Sequence, residues 1–377
     1  MKILLIGEYY SENLGDPLLC QSVERILKER YPGAEIVPFD LTGRISPTEF
    51  YVPKTNPAAD AVTDFACRRY LYYRRAAILR SFEQDRERCL RIWYYLGELL
   101  RKNRFDLAIF AGGSLFMDYF AGVIHLIILR LSLTGTRILF HACGMSTLNE
   151  DGVYLLRQAL RSGNVSSVSL RDSLERFTGQ FPVKAAVRET YDTALNCSQW
   201  FPKAEERRAE YGIGLIDRCH DQQLRLIRGC MASGRSWMAF TNGSHYDQQY
   251  AENLLTEAGI PAGKLGEYLA QRPRTAGELI RTVTGFEKII AFRMHCQIAA
   301  GSFGIPSFGI AWDPKLTEFY RKLGFPQGCA EEVPEFSRIE EILSRYDGAI
   351  HARALAQGEE SRRCLIEAVE QAINKKR

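Results

Sequence analysis

Six short stretches carry the side chains able to do chemistry, and each falls where an apolar run ends. The richest is AFRMHCQIAAGSFGIP, residues 291–306, where Arg293 and His295 emerge just before a helical run of small residues. A guanidinium, an imidazole and the free N–H groups of a helix start together make an anion site. In GEYYSENLGDPLL (7–19), Asp16 and Pro17 have the chemistry of a helix start. Asp16 is there either a helix cap or a carboxylate able to orient or deprotonate a hydroxyl. In FAGGSLF (110–116), Gly112 and Gly113 allow a ligand close to the backbone, with Ser114 as a donor. In HACGMS (141–146), Gly144 and Ser146 occupy the same kind of position, while His141 lies within the strand and reads as a core histidine. In SLRDSLERF (169–177), Arg171 precedes Asp172 and is either one half of a local ion pair or an anion-binding guanidinium. Asp192 ends a short run in TYDTAL (190–195).

The elements that must position these groups alternate. Strand-like runs at 2–7, 34–39, 105–113, 137–144 and 165–172 are separated by amphipathic helical runs, the first from about Pro17 to Tyr31. A polar stretch, 196–210, breaks the alternation and reads as a linker. Runs at 211–217, 235–243, 288–293 and 306–312 follow, with a short strand expected near Ile260. The fold class expected is α/β: two Rossmann-like β-α-β domains facing across a cleft, covering 1–195 and 211–350. A C-terminal helix over 351–377 is expected to pack back on the first domain. Open parallel sheets bind ligands at the carboxyl ends of their strands, so Arg171 is expected to face Arg293 and His295 from the first domain.

Bulk properties narrow the classes. A chain of 377 residues with 46% hydrophobic and 25% charged content suits two ordinary domains. A net charge of +4 favours anionic ligands without arguing for nucleic acid. The ten cysteines form no C-x-x-C pair, and no His, Cys or carboxylate cluster has metal-ligand spacing, so no metal is expected. Scattered thiols fit a reduced, cytoplasmic protein. MKILLIGEYY reads as a first strand rather than a leader, and AGVIHLIILRLSLTG (121–135) is too short and too charged to span a bilayer. Residues 68–104 hold eleven Lys or Arg against four Asp or Glu, with seven aromatics including Tyr70, Trp93 and Tyr95. This insertion, about 62–104, reads either as a helical hairpin with inward aromatics or as a contact with an anionic membrane surface.

The order and spacing of several pieces resemble those of the polysaccharide pyruvyl transferases. They are N-x-G-D (Asn13, Gly15, Asp16), GGS at 112–114, S-x-R-D-S at 169–173, D-T-A-L at 192–195, R-M-H at 293–295, GIP at 304–306 and W-D-P-K at 312–315. The resemblance implies a fold similar to that of the GT-B glycosyltransferases. It implies phosphoenolpyruvate as co-substrate, with no cofactor, and a sugar diol, free or in a lipid-linked oligosaccharide, that becomes a pyruvate ketal. Donor binding carries over to Arg293, His295 and Arg171; Asn13, Gly112, Gly113, Ser114 and Ser146, on the other strand-end loops, are expected to line the acceptor or cleft side. Acceptors of this kind imply a cytoplasmic enzyme at the inner face of the membrane. The loop ACGMSTLNEDG departs from the G-x-G-x-G-P of relatives, in the region that shapes acceptor choice.

Ketal formation needs anion clamps, a proton for the methylene carbon and a base for the hydroxyls. Arg171 and Arg293 suit the clamps, Asp16 the base, and His295 either the proton donor or a phosphate ligand. A helix N-terminus opposes a protonated histidine, whereas a bound anion favours it, so His295 is expected to be an acid only with donor present. Two other classes fit parts of the pattern: a GT-B glycosyltransferase using a nucleotide sugar, and a carbohydrate- or membrane-binding module without catalysis.

Overall fold

The computed structural model describes residues 1–52 and 86–374. Of the basic aromatic stretch, the part from Arg68 to Asp85 lies outside the described residues. The chain divides into two compact units: Met1–Tyr10, Val23–Tyr191 and Arg363–Arg377 form one, and Ser11–Ser22 with Asp192–Arg362 the other.

In the first unit, apolar strands form a parallel sheet: β1 (Lys2–Gly7), β2 (Glu35–Asp40), β3 (Leu107–Phe110), β4 (Gly113–Phe116), β5 (Arg137–Met145), β6 (Val165–Leu170) and β7 (Ala186–Glu189). The order is β2-β1-β3-β5-β6-β7, with β4 paired to β5. The helices between them are the second half of α1 (Gly15–Arg30), whose residues up to Ser22 belong to the other unit, with α2 (Arg86–Lys102), α3 (Asp118–Leu133), α4 (Glu150–Leu160) and α5 (Leu174–Gln180). The order reverses between β1 and β3, so Gly7 and Phe110 end their strands at the switch point, where open sheets take ligands. The apolar run at 121–135 belongs to α3, a buried helix whose His125 Nδ1 lies 3.2 Å from the Leu155 carbonyl. On α2, Trp93 carries the Arg130 guanidinium over its ring at 3.9 Å, and Tyr95 stacks on Phe39 and Tyr51. Gly97 leaves room for that guanidinium, since a Cβ there would lie 2.4 Å from Arg130 Nη2. The described aromatics of the basic stretch therefore include two that pack on the unit's own core.

The second unit has five parallel strands: β8 (Ala209–Gly214), β9 (Trp237–Phe240), β10 (Phe286–Ala291), β11 (Ser307–Ile310) and β12 (Cys329–Ala330), ordered β12-β11-β10-β8-β9. Around them lie α6 (His220–Ser233), α7 (His245–Glu257), α8 (Leu265–Tyr268), α9 (Ala276–Thr284), α10 (Met294–Phe303), α11 (Pro314–Lys322), α12 (Phe336–Ser344) and most of α13 (Gly348–Asn374). The strand expected near Ile260 does not form. Gly259 takes φ +103° and Pro261 has no N–H to give a ladder, so the chain turns into the 3-10 segment Ala262–Lys264 and only Leu269 bridges Ala239. The switch point here lies between β8 and β10, and Ala291 is level with Gly214. That register brings Asp217, Asn242 and Arg293, which follow β8, β9 and β10, to one end of the sheet.

Helix α10 is pinned to this sheet from below. Buried Gln297 donates from Nε2 to the carbonyls of Ala291 (2.8 Å) and Phe308 (3.0 Å). Its Oε1 accepts from the Tyr320 hydroxyl at 2.8 Å, and Tyr320 accepts in turn from Ser307. A fully paired buried network of this kind fixes one arrangement, because breaking any member strands another. The start of α10 is thereby placed, and with it Arg293 and His295.

Candidate active site

Arg293 stands at the N-cap of α10 with extended backbone (φ −90°, ψ 128°) and does not cap the helix with its own side chain. Its Nη2 donates to Asp247 Oδ2 at 2.7 Å, and Asp247 Oδ1 accepts the Asp217 N–H at 3.0 Å. Asp247 is 1% exposed and Arg293 22%, so the pair is sunk on the carboxylate side and open on the guanidinium side. Burial pushes the Asp247 carboxyl above its ordinary value, against the pull of the Arg293 charge. Arg293 Nε is buried and has no hydrogen-bond partner among the described residues.

His295 is the second residue of the same helix, within its first turn, and is 7% exposed. The Nδ1 side of its ring lies close against Gly15: a Cβ at that position would sit 2.1 Å from His295 Nδ1. The glycine of N-x-G-D is therefore there for close approach. Asp192 Oδ2 lies 3.8 Å from His295 Nε2. Cys296, next along, is buried, and burial pushes its thiol up to about 12, so it adds no charge near neutral pH.

The N-x-G-D loop reaches the same place. Leu14 N–H donates to the Asn242 carbonyl at 2.9 Å, and Asn242 Nδ2 donates to Asn13 Oδ1. Asn13 Nδ2 donates to Asp16 Oδ2 at 2.8 Å. Helix α1 starts at Gly15, so Asp16 lies within the first turn and not before it, where an acidic group still suits the positive end of the helix. Asn13, Asp16, Asp192, Arg293 and His295 thus gather in the second unit.

The first unit holds the other sequence-derived residues. Gly112 and Gly113 have φ +79° and +81°, a left-handed pair that side chains resist, and they turn the chain from β3 into β4. Arg171 Nη2 lies 3.5 Å from Ser114 Oγ, and Arg171 Nε lies 3.5 Å from Asp172 Oδ2. Asp172 Oδ1 accepts the Met145 N–H at 2.9 Å, and Gly144 leaves room for that carboxylate, as a Cβ there would be 2.6 Å from Oδ2. Ser146 is half-buried beyond β5 and donates its N–H to the Phe116 carbonyl at 3.0 Å. His141 is buried, with Nδ1 3.2 Å from Ser169 Oγ.

Sequence reasoning misses Asp247 and Asn242. A signal for Asp247 exists: in TNGSHYD (241–247), Ser244 and Asp247 have the S-x-x-D spacing of a capping box, and Ser244 does cap α7. That spacing marks a helix start, but nothing local says that the carboxylate turns to an arginine 46 residues on. Among the described residues no group of three or more His, Cys, Asp or Glu is arranged to hold a metal ion.

Comparison with known proteins extends this picture. The UDP-GlcNAc 2-epimerase of Neisseria meningitidis is 11% identical at a TM-score of 0.58, covering 98% of this chain and 100% of that one. The UDP-N-acetylglucosamine 2-epimerase of Rickettsia bellii is 8% identical at a TM-score of 0.57, covering 100% and 97%. The sucrose-phosphate synthase of Thermosynechococcus elongatus is 11% identical at a TM-score of 0.51, covering 100% and 98%. At such identity the likeness concerns the fold, two parallel α/β units similar to the GT-B glycosyltransferases. No curated protein matches the sequence. The profile of one family does, over residues 13–314, from the asparagine of N-x-G-D to the proline of W-D-P-K, and includes every residue of both clusters above. That span places the chain in the polysaccharide pyruvyl transferase family, as a transferase acting on polysaccharide.

Proposed function

We propose that this transferase moves the enolpyruvyl group of phosphoenolpyruvate onto two hydroxyls of one sugar in a cell-surface or exopolysaccharide precursor. The methylene carbon takes a proton and becomes a methyl group, leaving an oxocarbenium-like centre at C2. One sugar oxygen bonds to C2 as its proton departs. The second oxygen then bonds to the same carbon, its proton leaving as the C2–O bond to phosphate breaks, which gives the cyclic ketal and free phosphate. The observation that carries this reading is the pairing of Arg293 and His295 at the start of α10, on the switch point of their sheet. Arg293 is steadied by Asp247 through one nitrogen, and its buried Nε is a donor in need of an acceptor. A doubly anionic donor supplies carboxylate and phosphate oxygens of the right kind.

In this reading Arg293 binds the donor, His295 protonates the methylene carbon or binds phosphate, and Asp16 takes a hydroxyl proton. Arg171 is the further donor ligand, and the loops at Asn13, Gly112, Gly113, Ser114 and Ser146 serve the acceptor. No helix among the described residues is long and apolar enough to cross a membrane. We keep a peripheral role for the basic stretch 68–104, toward anionic lipid that carries the acceptor. Co-sedimentation with phosphatidylglycerol vesicles at low salt is the check, and no binding removes it.

The deciding experiment incubates the protein with phosphoenolpyruvate and glycans of cell-surface pathways. It follows phosphate release and the gain of a carboxyethylidene group by mass spectrometry. Turnover of a UDP-sugar with none of phosphoenolpyruvate would establish a glycosyltransferase instead. Thermal stabilisation by phosphoenolpyruvate but not UDP gives the same discrimination without an acceptor.

A further inference from the structure

Asp192 opens the 3-10 segment Thr193–Gln199 and divides its two oxygens between two tasks. Oδ1 accepts the Ala194 N–H at 2.9 Å and so caps the segment. Oδ2 lies 3.8 Å from His295 Nε2, with the two side chains 4% and 9% exposed. We propose that Asp192 is the positioning residue for His295, holding the imidazole in its protonated form and in one orientation before any donor arrives. This rests on the pyruvyl-transfer reading only for what the proton is used for.

Three observations support it. Asp192 Oδ2 is 3.8 Å from Nε2, and an opposite charge within about 4–6 Å favours the charged imidazole; burial alone would disfavour it, so a carboxylate close by is what a buried acid requires. The ring is confined on its other edge, where Gly15 leaves no space for even a methyl group. The carboxylate is itself fixed, because the 3-10 segment is tied to α10: Ser302 Oγ donates to the Leu195 carbonyl at 2.8 Å and accepts the Ser198 N–H at 3.0 Å.

Other charges stand on the elements around His295. Arg293 on its own helix opposes protonation, but Asp247 already pairs with it. Asp16, in the first turn of α1, accepts from Asn13. Cys296 is neutral. Of the elements packed on α10, β10 carries Glu287 and Lys288 near its far, amino-terminal end, and Lys288 pairs with Glu210. On α9, Glu278 accepts from the Arg274 N–H, and Arg281 lies in the last turn; β11 carries no charge. From α13, His351 reaches the opposite end of α10, at the Ser302 carbonyl. The tension between an acid role and a helix N-terminus is thus met inside the protein, by a carboxylate that offsets the helix.

The test measures the His295 pKa by NMR of the ring Cε1–H in the full chain without ligand, the signal being assigned by its loss in H295Q. D192N and D192S both keep an oxygen able to cap the 3-10 segment while removing the charge. Either variant, shown folded by an unchanged circular dichroism spectrum, is expected to lower the proton affinity of His295 about tenfold. In turnover with phosphoenolpyruvate, the alkaline limb of kcat should move to lower pH by the same amount, with KM for the donor changed less. An unchanged His295 pKa in a folded D192N or D192S overturns the proposal. Wild-type protein that never consumes phosphoenolpyruvate, with the NMR shift intact, would refute pyruvyl transfer and leave the pair standing.

Discussion

Both units end a strand with an arginine held by a carboxylate, but they build the pair differently. In the first, Arg171 and Asp172 are adjacent, 3.5 Å apart at Nε and Oδ2, and 6% and 7% exposed. In the second, Arg293 meets a carboxylate 46 residues away at 2.7 Å, with the arginine at 22% and the aspartate at 1%. Adjacent residues on one strand end share its orientation poorly, and the contact is long. A carboxylate brought in on α7 can approach end-on, which leaves the rest of the Arg293 fork for a ligand. The second unit also adds a histidine two residues on, in the first turn of α10, with a carboxylate near Nε2 and a glycine against the Nδ1 side of its ring.

The histidine is where the two units should differ most. H295Q is expected to lower turnover about 1000-fold at saturating phosphoenolpyruvate with KM little changed, the range for loss of a general acid. Near-normal turnover would reduce the second unit's cluster to an anion site like that around Arg171.

R293A is next. It is expected to raise KM for phosphoenolpyruvate about 100-fold, the loss of two charge-assisted hydrogen bonds. It should also lower stability by about 3 kcal/mol, because Asp247 is left buried and unpaired. R293A with D247N should regain most of the stability and none of the donor binding, read by denaturant melts and initial rates. R171A is expected to cost similar stability with a smaller rise in KM. Equal rises would show that exposure does not separate the two arginines.

G15A probes the steric side of the same contrast. A methyl group 2.1 Å from His295 Nδ1 must displace the ring. Turnover should fall about 30-fold, within the cost of an ångström's misplacement, while the melting temperature moves by only a few degrees. A normal rate in G15A would mean that the ring position is not critical.

The weakest effect is one of pH. Burial holds the folded Asp247 carboxyl above its ordinary 3.8, so the folded state binds this proton more tightly than the unfolded one. Its contribution is fully present below 3.8 and is lost as pH rises through the raised value. D247N should remove that portion of the slope in stability against pH, measured by urea melts across the acidic range.

Much of the fold and of the site is legible in the residues alone. Apolar runs mark β1, β3, β5 and β10, since strands buried on both faces are largely hydrophobic stretches. Arg293 and His295 stand out because polar groups interrupt such a run only at its end. Near Ile260 the same cue fails: Ile260 stands alone between Gly259 and Pro261, its own N–H closes onto the Leu255 carbonyl, and Pro261 has none to give a ladder. Asp192 is visible at the end of its run, but the direction of its second oxygen is not.

Local chemistry thus sets the alternation of strands and helices, the strand ends that carry Arg171, Arg293 and His295, and the glycines that the turns require. Hydrophobic periodicity and backbone angles within a few residues are enough for those. Long-range folding is what brings Asp247 to Arg293, Asn242 to Asn13, Gly15 against the His295 ring and Asp192 to its other edge. Each of those contacts joins residues far apart along the chain. Their geometry depends on sheet register and on the network that pins α10, which no periodicity in the sequence records.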